Sequence, residues 1–406
     1  MRELDPKIEL QLVLGQQIMN VLQGPTIEAI RQDCVGLSYD FGFRSAREGN
    51  SLKVSETLLP QLYNICEEVK EKLGFKTPID FYVSGNSEVN ACAFFAYDEN
   101  SPHIIEINSG LFNLMNEEEL KYVIGHEIGH LINGDSIIRG IFNFIYPDDE
   151  AMGKCPDFLL GRYRMYRLLA ELSADRYGYI ANENLEACVT AIFKMASGLN
   201  LEKMNVSMKA LMTENDQRLE FFLREGNMGA TSHPANPVRV RALDLFANTK
   251  TQTALTKGMN ELIDILQDFM YSRLDQALAD FVASAGIMIS QIDGKREKFE
   301  EEYLIKELAQ FTLFPYKYLK QVEKGDVNKI FEESFKTILE LSSPEDDITP
   351  MNYILELVIA DRYLDERELS IVYDLGKRMG MTGRQVSMEI AEKLREKFQP
   401  NVTGLK

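Results

Sequence analysis

Histidine is scarce in this chain, with four residues in 406. Cysteine is hardly commoner: the five residues, at positions 34, 66, 92, 155 and 188, include no C-x-x-C pair. Their odd number and scatter speak against a disulfide framework and for reduced thiols in a cytoplasmic protein. Positive charge is also short. Lys and Arg number 44 against 63 Asp and Glu, a formal net charge of −19. Nucleic acid demands a cationic footprint, and anionic membrane surfaces attract basic segments, so neither is an expected partner. No apolar run reaches the roughly 18 residues of a membrane-spanning helix. The opening residues, Met1-Arg2-Glu3-Leu4-Asp5, lack the charged-then-apolar pattern of a signal peptide. No integral membrane span is therefore expected. Gly-x-Ser-x-Gly is missing too, and no cysteine lies in a catalytic context, so nothing points to nucleophilic catalysis. What is left is an ordinary globular composition, 45% apolar, in a chain long enough for two or three domains.

Two of the four histidines fall in one stretch, His126-Glu127-Ile128-Gly129-His130. Asn116 followed by Glu119 is a capping box. Leu120, Val123, Ile124 and Leu131 form an apolar stripe at helical spacing. Asn133-Gly134 is a helix stop. The stretch is thus expected to be helical, with the imidazoles of His126 and His130 on one face. That spacing lets two nitrogens bind one zinc ion, and Glu127 can then act as general base toward water at the metal. Gly125 and Gly129 weaken the helix, which implies close packing or access at this place. The plain alternative is two surface histidines on an ordinary helix.

Around this helix the chain reads as follows. Residues 1–50 are a helical segment broken at Gly24-Pro25, expected to pack on the core rather than to carry chemistry. An amphipathic helix over 56–73 precedes three strand-like runs at 78–83, 90–97 and 104–107. Turn signals separate them, which suits a small antiparallel sheet. His103, ahead of the third run, reads as a surface-turn residue. The polar stretch Pro147 to Pro156 is either a lid over a cleft or a plain surface connection. Residues 157–181 read as a long helix containing Glu171-Leu172-Ser173-Ala174-Asp175. A catalytic zinc needs three protein ligands and one open position. Glu171 is the candidate third ligand. Asp175, one turn later, can accept the free ring N–H of a ligand histidine and fix its tautomer.

Together with Asn90-Ala91, Ser109-Gly110-Leu111 and Ser232-His233-Pro234 through Arg239, these motifs resemble the M48 group of zinc metallopeptidases over about 56–245. That group are gluzincins, whose third ligand is a glutamate. Many of its members are membrane-embedded, and this chain, without their hydrophobic spans, is similar to the soluble ones. The resemblance implies an α+β, mostly helical fold: a zincin-type peptidase domain with a small antiparallel sheet and an active-site helix, followed by an all-α domain. It implies one Zn2+ per chain and a peptide or unfolded protein as substrate. Asn90 and Ala91 would lie on an edge strand that binds an extended peptide through main-chain hydrogen bonds. His233 would donate to the oxyanion of the tetrahedral intermediate, or is a loop histidine before a proline. Arg239 would hold the site's carboxylates or position His233, or lies on a solvated helix face.

From about 251 onward the pattern is wholly helical. Ala360 to Glu368, with a fainter echo from Ile287 to Gly294, resembles the TerB-like helical domain over about 275–398. Position 362 is Arg where that domain usually has Gly. The acidic clusters near Asp293 and Asp361 either hold a divalent cation or cap helices. As a whole the domain is expected to be an interaction or regulatory module that meets a protein partner. The expected division is a helical segment 1–50, the peptidase domain 51–250, a helical connector 251–274, the TerB-like domain 275–398 and a tail 399–406. The expected function is that of a soluble zinc-dependent endopeptidase. One rival is a catalytically idle or latent relative that acts as a binding scaffold, against which the retained Glu127 argues. Another is a structural zinc site, which normally takes four protein ligands where three are evident.

Overall fold

The computed structural model describes residues 4–96, 101–152, 155, 157–225, 233–266, 273–291, 314, 316–341, 349–359 and 366–397. Two units emerge, one running to Leu266 and the other beginning at Gln267. The fold is α+β and mostly helical, with a four-stranded sheet in the first unit.

The first unit begins with α1 (Glu9–Val21) and α2 (Gly24–Asn50), followed by β1 (Ser51–Lys53), α3 (Pro60–Lys72), β2 (Ile79–Ser84), β3 (Ala91–Phe94) and β4 (His103–Asn108). The strand order is β1-β2-β4-β3, so β3 lies at an edge. Pairing of β1 with β2 and of β3 with β4 is antiparallel. In contrast, β2 and β4 run parallel, Ile79 opposite His103 and Val83 opposite Ile107. This corrects the expectation of a purely antiparallel sheet. The residues from Gly85 to Asn90 do not close a hairpin. They carry the chain past one strand's width, so that β4 returns between β2 and β3. Strand β1 was not expected: three residues, Ser51-Leu52-Lys53, are too few and too polar to show a period.

His103 is also corrected. It is buried as the first residue of β4, its Nδ1 accepts the Ala96 N–H at 3.0 Å, and the Phe95 ring packs 4.5 Å away. The preceding Ser101-Pro102 turn signal ends one residue earlier than its appearance suggests.

One face of the sheet carries the buried Phe81, Ile105 and Ile107. The other carries charge, which the end of α2 neutralises. Arg44 pairs with Asp80 at 2.7 Å, Arg47 pairs with Glu106 at 2.9 Å, and Glu48 accepts from the Tyr82 hydroxyl.

After the sheet come α4 (Ser109–Leu114), α5 (Glu117–Asn133), α6 (Asp135–Ile145), the short α7 (Asp149–Met152), α8 (Asp157–Asn182), α9 (Leu185–Ser197), α10 (Met208–Glu225), α11 (Asn236–Asn248) and α12 (Gln252–Leu266). Thus the polar stretch 147–156 is in part helical. The central pair is α5 and α8. Gly125, Gly129 and Gly178 let their backbones nearly touch. A Cβ on Gly125 would come within 2.5 Å of the Ala181 Cβ, and one on Gly178 within 2.7 Å of the Tyr122 carbonyl oxygen.

The second unit is all helical where described: α13 (Arg273–Gln291), α14 (Tyr316–Lys324), α15 (Val327–Leu341), α16 (Thr349–Ile359), α17 (Glu366–Arg378) and α18 (Gly383–Lys397). Its core contains Phe281 stacked on Phe331 and Phe335, with ring centroids 5.1 and 5.7 Å apart. Val372 and Leu375 face inward, as the helical period of α17 requires. The junctions around Asp293 and Asp361 lie outside the described residues.

The glycine contact sets a test. Gly178→Ala forces a methyl into the Tyr122 backbone and should cost about 1–3 kcal/mol. Gly161→Ala, on the same helix with nothing within 4 Å of its added Cβ, should instead be neutral or gain up to about 1 kcal/mol. Urea unfolding of both variants decides; equal effects would contradict the close packing.

Candidate metal centre

Helix α5 is fixed at both ends. The Asn116 side chain accepts the Glu119 N–H at 3.0 Å, and Glu119 accepts the Asn116 N–H at 2.9 Å. Glu119 also holds the Lys194 ammonium of α9 at 2.7 Å, with both side chains buried. At the other end Gly134 turns at φ 69°, a left-handed value that favours glycine, and α6 starts at once. Most of α5 is buried, His126 and Glu127 included, and His130 is partly buried.

His126 and His130 stack edge to face, with their Nε2 atoms 3.2 Å apart. From α8, Glu171 brings Oε2 to 3.4 Å from His126 Nε2 and Oε1 to 3.6 Å from His130 Nε2. The three ligand atoms all lie within 4.8 Å of one another. Among the described residues this is the single such group of His, Cys, Asp and Glu.

Each ring is oriented by a carboxylate behind it. His126 Nδ1 is 2.9 Å from Asp175 Oδ1, and His130 Nδ1 is 2.9 Å from Asp135 Oδ2. An ionised carboxylate only accepts, so each Nδ1 carries the proton and each Nε2 faces the centre. Two facing Nε2 atoms can share one proton at most. Glu171 Oε2, meanwhile, is buried and accepts no hydrogen bond. A divalent cation among these three groups satisfies all of them at once, so the donor set fits zinc, a metal that takes imidazole and carboxylate ligands.

The charges follow from this geometry. Burial opposes charging His126, but the Asp175 and Glu171 carboxylates outweigh it and push the imidazole up to about 10. Burial likewise opposes ionising Glu171, yet the two imidazoles hold its carboxyl down at about 2. Asp175 is fully buried and still held well below the ordinary carboxylate range by Arg239, which donates through Nε at 2.9 Å and Nη2 at 2.6 Å. The Tyr122 hydroxyl adds a further donor to Asp175 at 2.7 Å.

Glu127, also buried, lies near His126, His130 and Glu171 and against the edge strand. Burial raises its pKa, and the Ala93 backbone N–H of β3 donates to it. Cys92, next to Ala93, is exposed. Burial of its sulfur together with the neighbouring Glu127 pushes its thiol up to about 11, so it is a poor nucleophile.

Every sequence-predicted residue can now be placed. His126, His130 and Glu171 converge. Asp175 and Arg239 form one buried pair behind His126, so Arg239 is on no solvated face. His233 is half exposed, with Nε2 3.3 Å from Glu171 Oε2, and burial lowers its pKa. Its neighbour Ser232 lies outside the described residues. Ala91 begins the edge strand, and the Asn90 side chain folds back to accept the Ala91 N–H at 3.0 Å. Asp135, Tyr122 and Tyr166 were missed. Tyr166 donates to Asp135 at 2.6 Å. Asp135 had a signal, since it follows the motif histidine directly after the helix stop. Tyr122 had one too, lying one helical turn before His126.

Residues 58–147 match the model of peptidase family M48. The matched segment holds His126, Glu127 and His130, while Glu171, Asp175, His233 and Arg239 lie beyond it. Similar proteins include the plastoglobule-localized metallopeptidase 48, chloroplastic, of Arabidopsis thaliana, 25% identical over 226 residues that make up 52% of this chain and 64% of that one. Protease HtpX of Haemophilus ducreyi is 33% identical over 86 residues, 20% of this chain and 29% of the relative. A protease HtpX homolog of Thermodesulfovibrio yellowstonii is 32% identical over 90 residues, 22% and 30% of the two chains. The chain therefore spans less than two thirds of the first relative and under a third of the other two. No solved structure matches.

The Asp175–Arg239 pair generates a prediction. Arg239→Met leaves a carboxylate buried beside a single imidazole and a hydroxyl, and should cost about 3–5 kcal/mol at neutral pH. Once Arg239 is gone, burial is opposed only by His126 and Tyr122, so the carboxyl's pKa rises from its low wild-type position. The deficit should then be largest at neutral pH and shrink as the pH falls toward the carboxylate range. Chemical denaturation at pH 7 and pH 4.5 measures both; a deficit independent of pH would contradict this origin.

Proposed function

We propose that this chain is a soluble zinc-dependent endopeptidase. The convergence of His126, His130 and Glu171 on one point, with Glu127 between that point and an edge strand, carries the proposal. The family match and the relatives named as a metallopeptidase and as proteases support the peptidase class. Among the described residues no helix is long and apolar enough to cross a membrane.

In this reading His126, His130 and Glu171 hold the ion, and Asp175 and Asp135 fix the two ring tautomers. A bound zinc ion supplies Lewis acidity, lowering the pKa of water and polarising the scissile carbonyl. The edge of β3, from Asn90 and Ala91 onward, receives the substrate backbone as an added strand, which reads main chain rather than side chains. Glu127 takes the proton of the attacking water and delivers it to the leaving amine nitrogen. Its raised pKa suits both steps, because a carboxylate that is too acidic would hold no proton for the amine. His233 donates from the open side to the oxyanion of the tetrahedral intermediate. The helical unit beyond Leu266 is, in this reading, an interaction or regulatory module.

Glu127→Gln keeps the ligands and removes the base. It should retain one zinc per chain while cleavage of an unfolded protein falls by about 10²–10⁴-fold. Persistent cleavage by the purified variant would defeat the mechanism, and a wild-type chain that takes up no zinc would defeat the site. Metal uptake should also release a proton. The Asp175 and Glu171 carboxylates favour the protonated form of His126, so binding at its Nε2 should expel about one proton per ion. Calorimetry in two buffers of different ionisation heat counts that proton; none released would contradict the assignment of His126.

A further inference from the structure

Helix α1 lies outside the family-matched segment and was expected only to pack. Most of its inward face is indeed plain packing: Leu14 and Ile18 are fully buried, and Gly15 admits the Tyr166 ring and Ile138. Gln11 is different. It is 2% exposed, on the same face, where an apolar residue would serve if packing were all that was needed. Its amide holds two polar partners. Nε2 donates to Asp135 Oδ1 at 3.1 Å, and Oε1 accepts from the Ser173 hydroxyl. Ser173 in turn accepts the Ile8 N–H at 3.3 Å, which ties the start of α1 to the same point.

The two partners connect α1 to the two ligand-bearing helices, one through His130 of α5 and one within α8. Asp135 begins α6 and, through its other oxygen, holds His130 Nδ1. Ser173 lies two residues after Glu171 on α8, with its side chain fully buried. Asp135 Oδ1 takes exactly two donors, Gln11 and the Tyr166 hydroxyl. With both in place the carboxylate plane is set, and the plane of the His130 ring with it. Without Gln11 only the Tyr166 hydroxyl remains on Oδ1, and the carboxylate is freer to turn about its Cβ–Cγ bond.

We propose that Gln11 is a positioning residue of the metal centre, a strut from α1 that holds Asp135, and through it His130, in register with the helix that bears Glu171. The proposal rests on the reading of His126, His130 and Glu171 as zinc ligands. It makes the N-terminal helix part of the metal centre's support and not merely a cover for the core.

The test is zinc affinity by chelator competition in the full chain, together with the visible spectrum of the cobalt(II) form. Gln11→Met keeps the volume and removes both hydrogen bonds. It should weaken zinc binding by about tenfold, the lower end of what losing an outer support of a ligand costs, and shift the cobalt bands. Leu14→Ala in the same helix opens a cavity and lowers stability, yet should leave affinity and spectrum as in the wild type. Gln11→Glu is the rescue variant. A protonated carboxyl donates and accepts as the amide does, whereas a carboxylate repels Asp135. Its affinity relative to wild type should therefore approach one at acid pH and fall as the pH rises. Wild-type affinity and spectrum in Gln11→Met would overturn the proposal and leave the metal site standing. Equal weakening by Leu14→Ala would reduce Gln11 to a packing role and also overturn it. Should Gln11→Met fail to fold, the pH trend of Gln11→Glu decides alone. A wild-type chain that binds no zinc overturns the ligand assignment itself, and this proposal with it.

Discussion

The near contact of α5 and α8 is the constraint on which the rest depends. Helices ordinarily pack about 8–10 Å apart, the distance set by the side chains between them. Here Gly125, Gly129 and Gly178 remove those side chains, and a methyl at any of the three would meet the opposite helix within 3 Å. The gain is reach. Glutamate is a short side chain, and Glu171 comes to both imidazoles at 3.4 and 3.6 Å only because its backbone is so close to theirs. Glycine weakens a helix from within, so α5 depends on its ends, the Asn116–Glu119 capping box and the Lys194 clamp, to stay regular.

Around this contact the charges are arranged for orientation more than for stability. A buried ion pair seldom stabilises a fold relative to apolar residues of the same volume. Asp175 with Arg239, and Asp135 with Tyr166 and Gln11, are better understood as fixtures. Each takes one histidine by its Nδ1 and turns the other nitrogen inward. The two fixtures come from different parts of the chain, one from α8 and one from the start of α6, so the centre is braced from two sides. Glu127 stands apart from both. It leans on the backbone of β3, the edge strand of the sheet.

Much of this was legible in the order of residues. The helix bearing His126 and His130 could be read because its cap, stripe and stop are all local, each spanning one or two turns. The long helix with Glu171 and Asp175 was readable for the same reason. Partners chosen by tertiary contact were not. Parallel pairing of β2 with β4 depends on where a loop carries the chain, which no period records. His103 looked exposed because a turn signal precedes it, and it is buried because the sheet places it opposite Ile79. Gln11 has no signal of its own in a helix expected only to pack on the core. Its significance comes from Asp135 and Ser173, separated from it by 124 and 162 positions.

Those separations bear on the order in which the centre can come into being as the chain is made. His126 and His130 emerge from the ribosome together, but Asp175 follows 49 positions after His126, and Arg239, its counter-ion, another 64 after that. Until Arg239 has been added, Asp175 has no guanidinium to offset its burial. The residues of the constellation are thus all present only when nearly the whole first unit has been made.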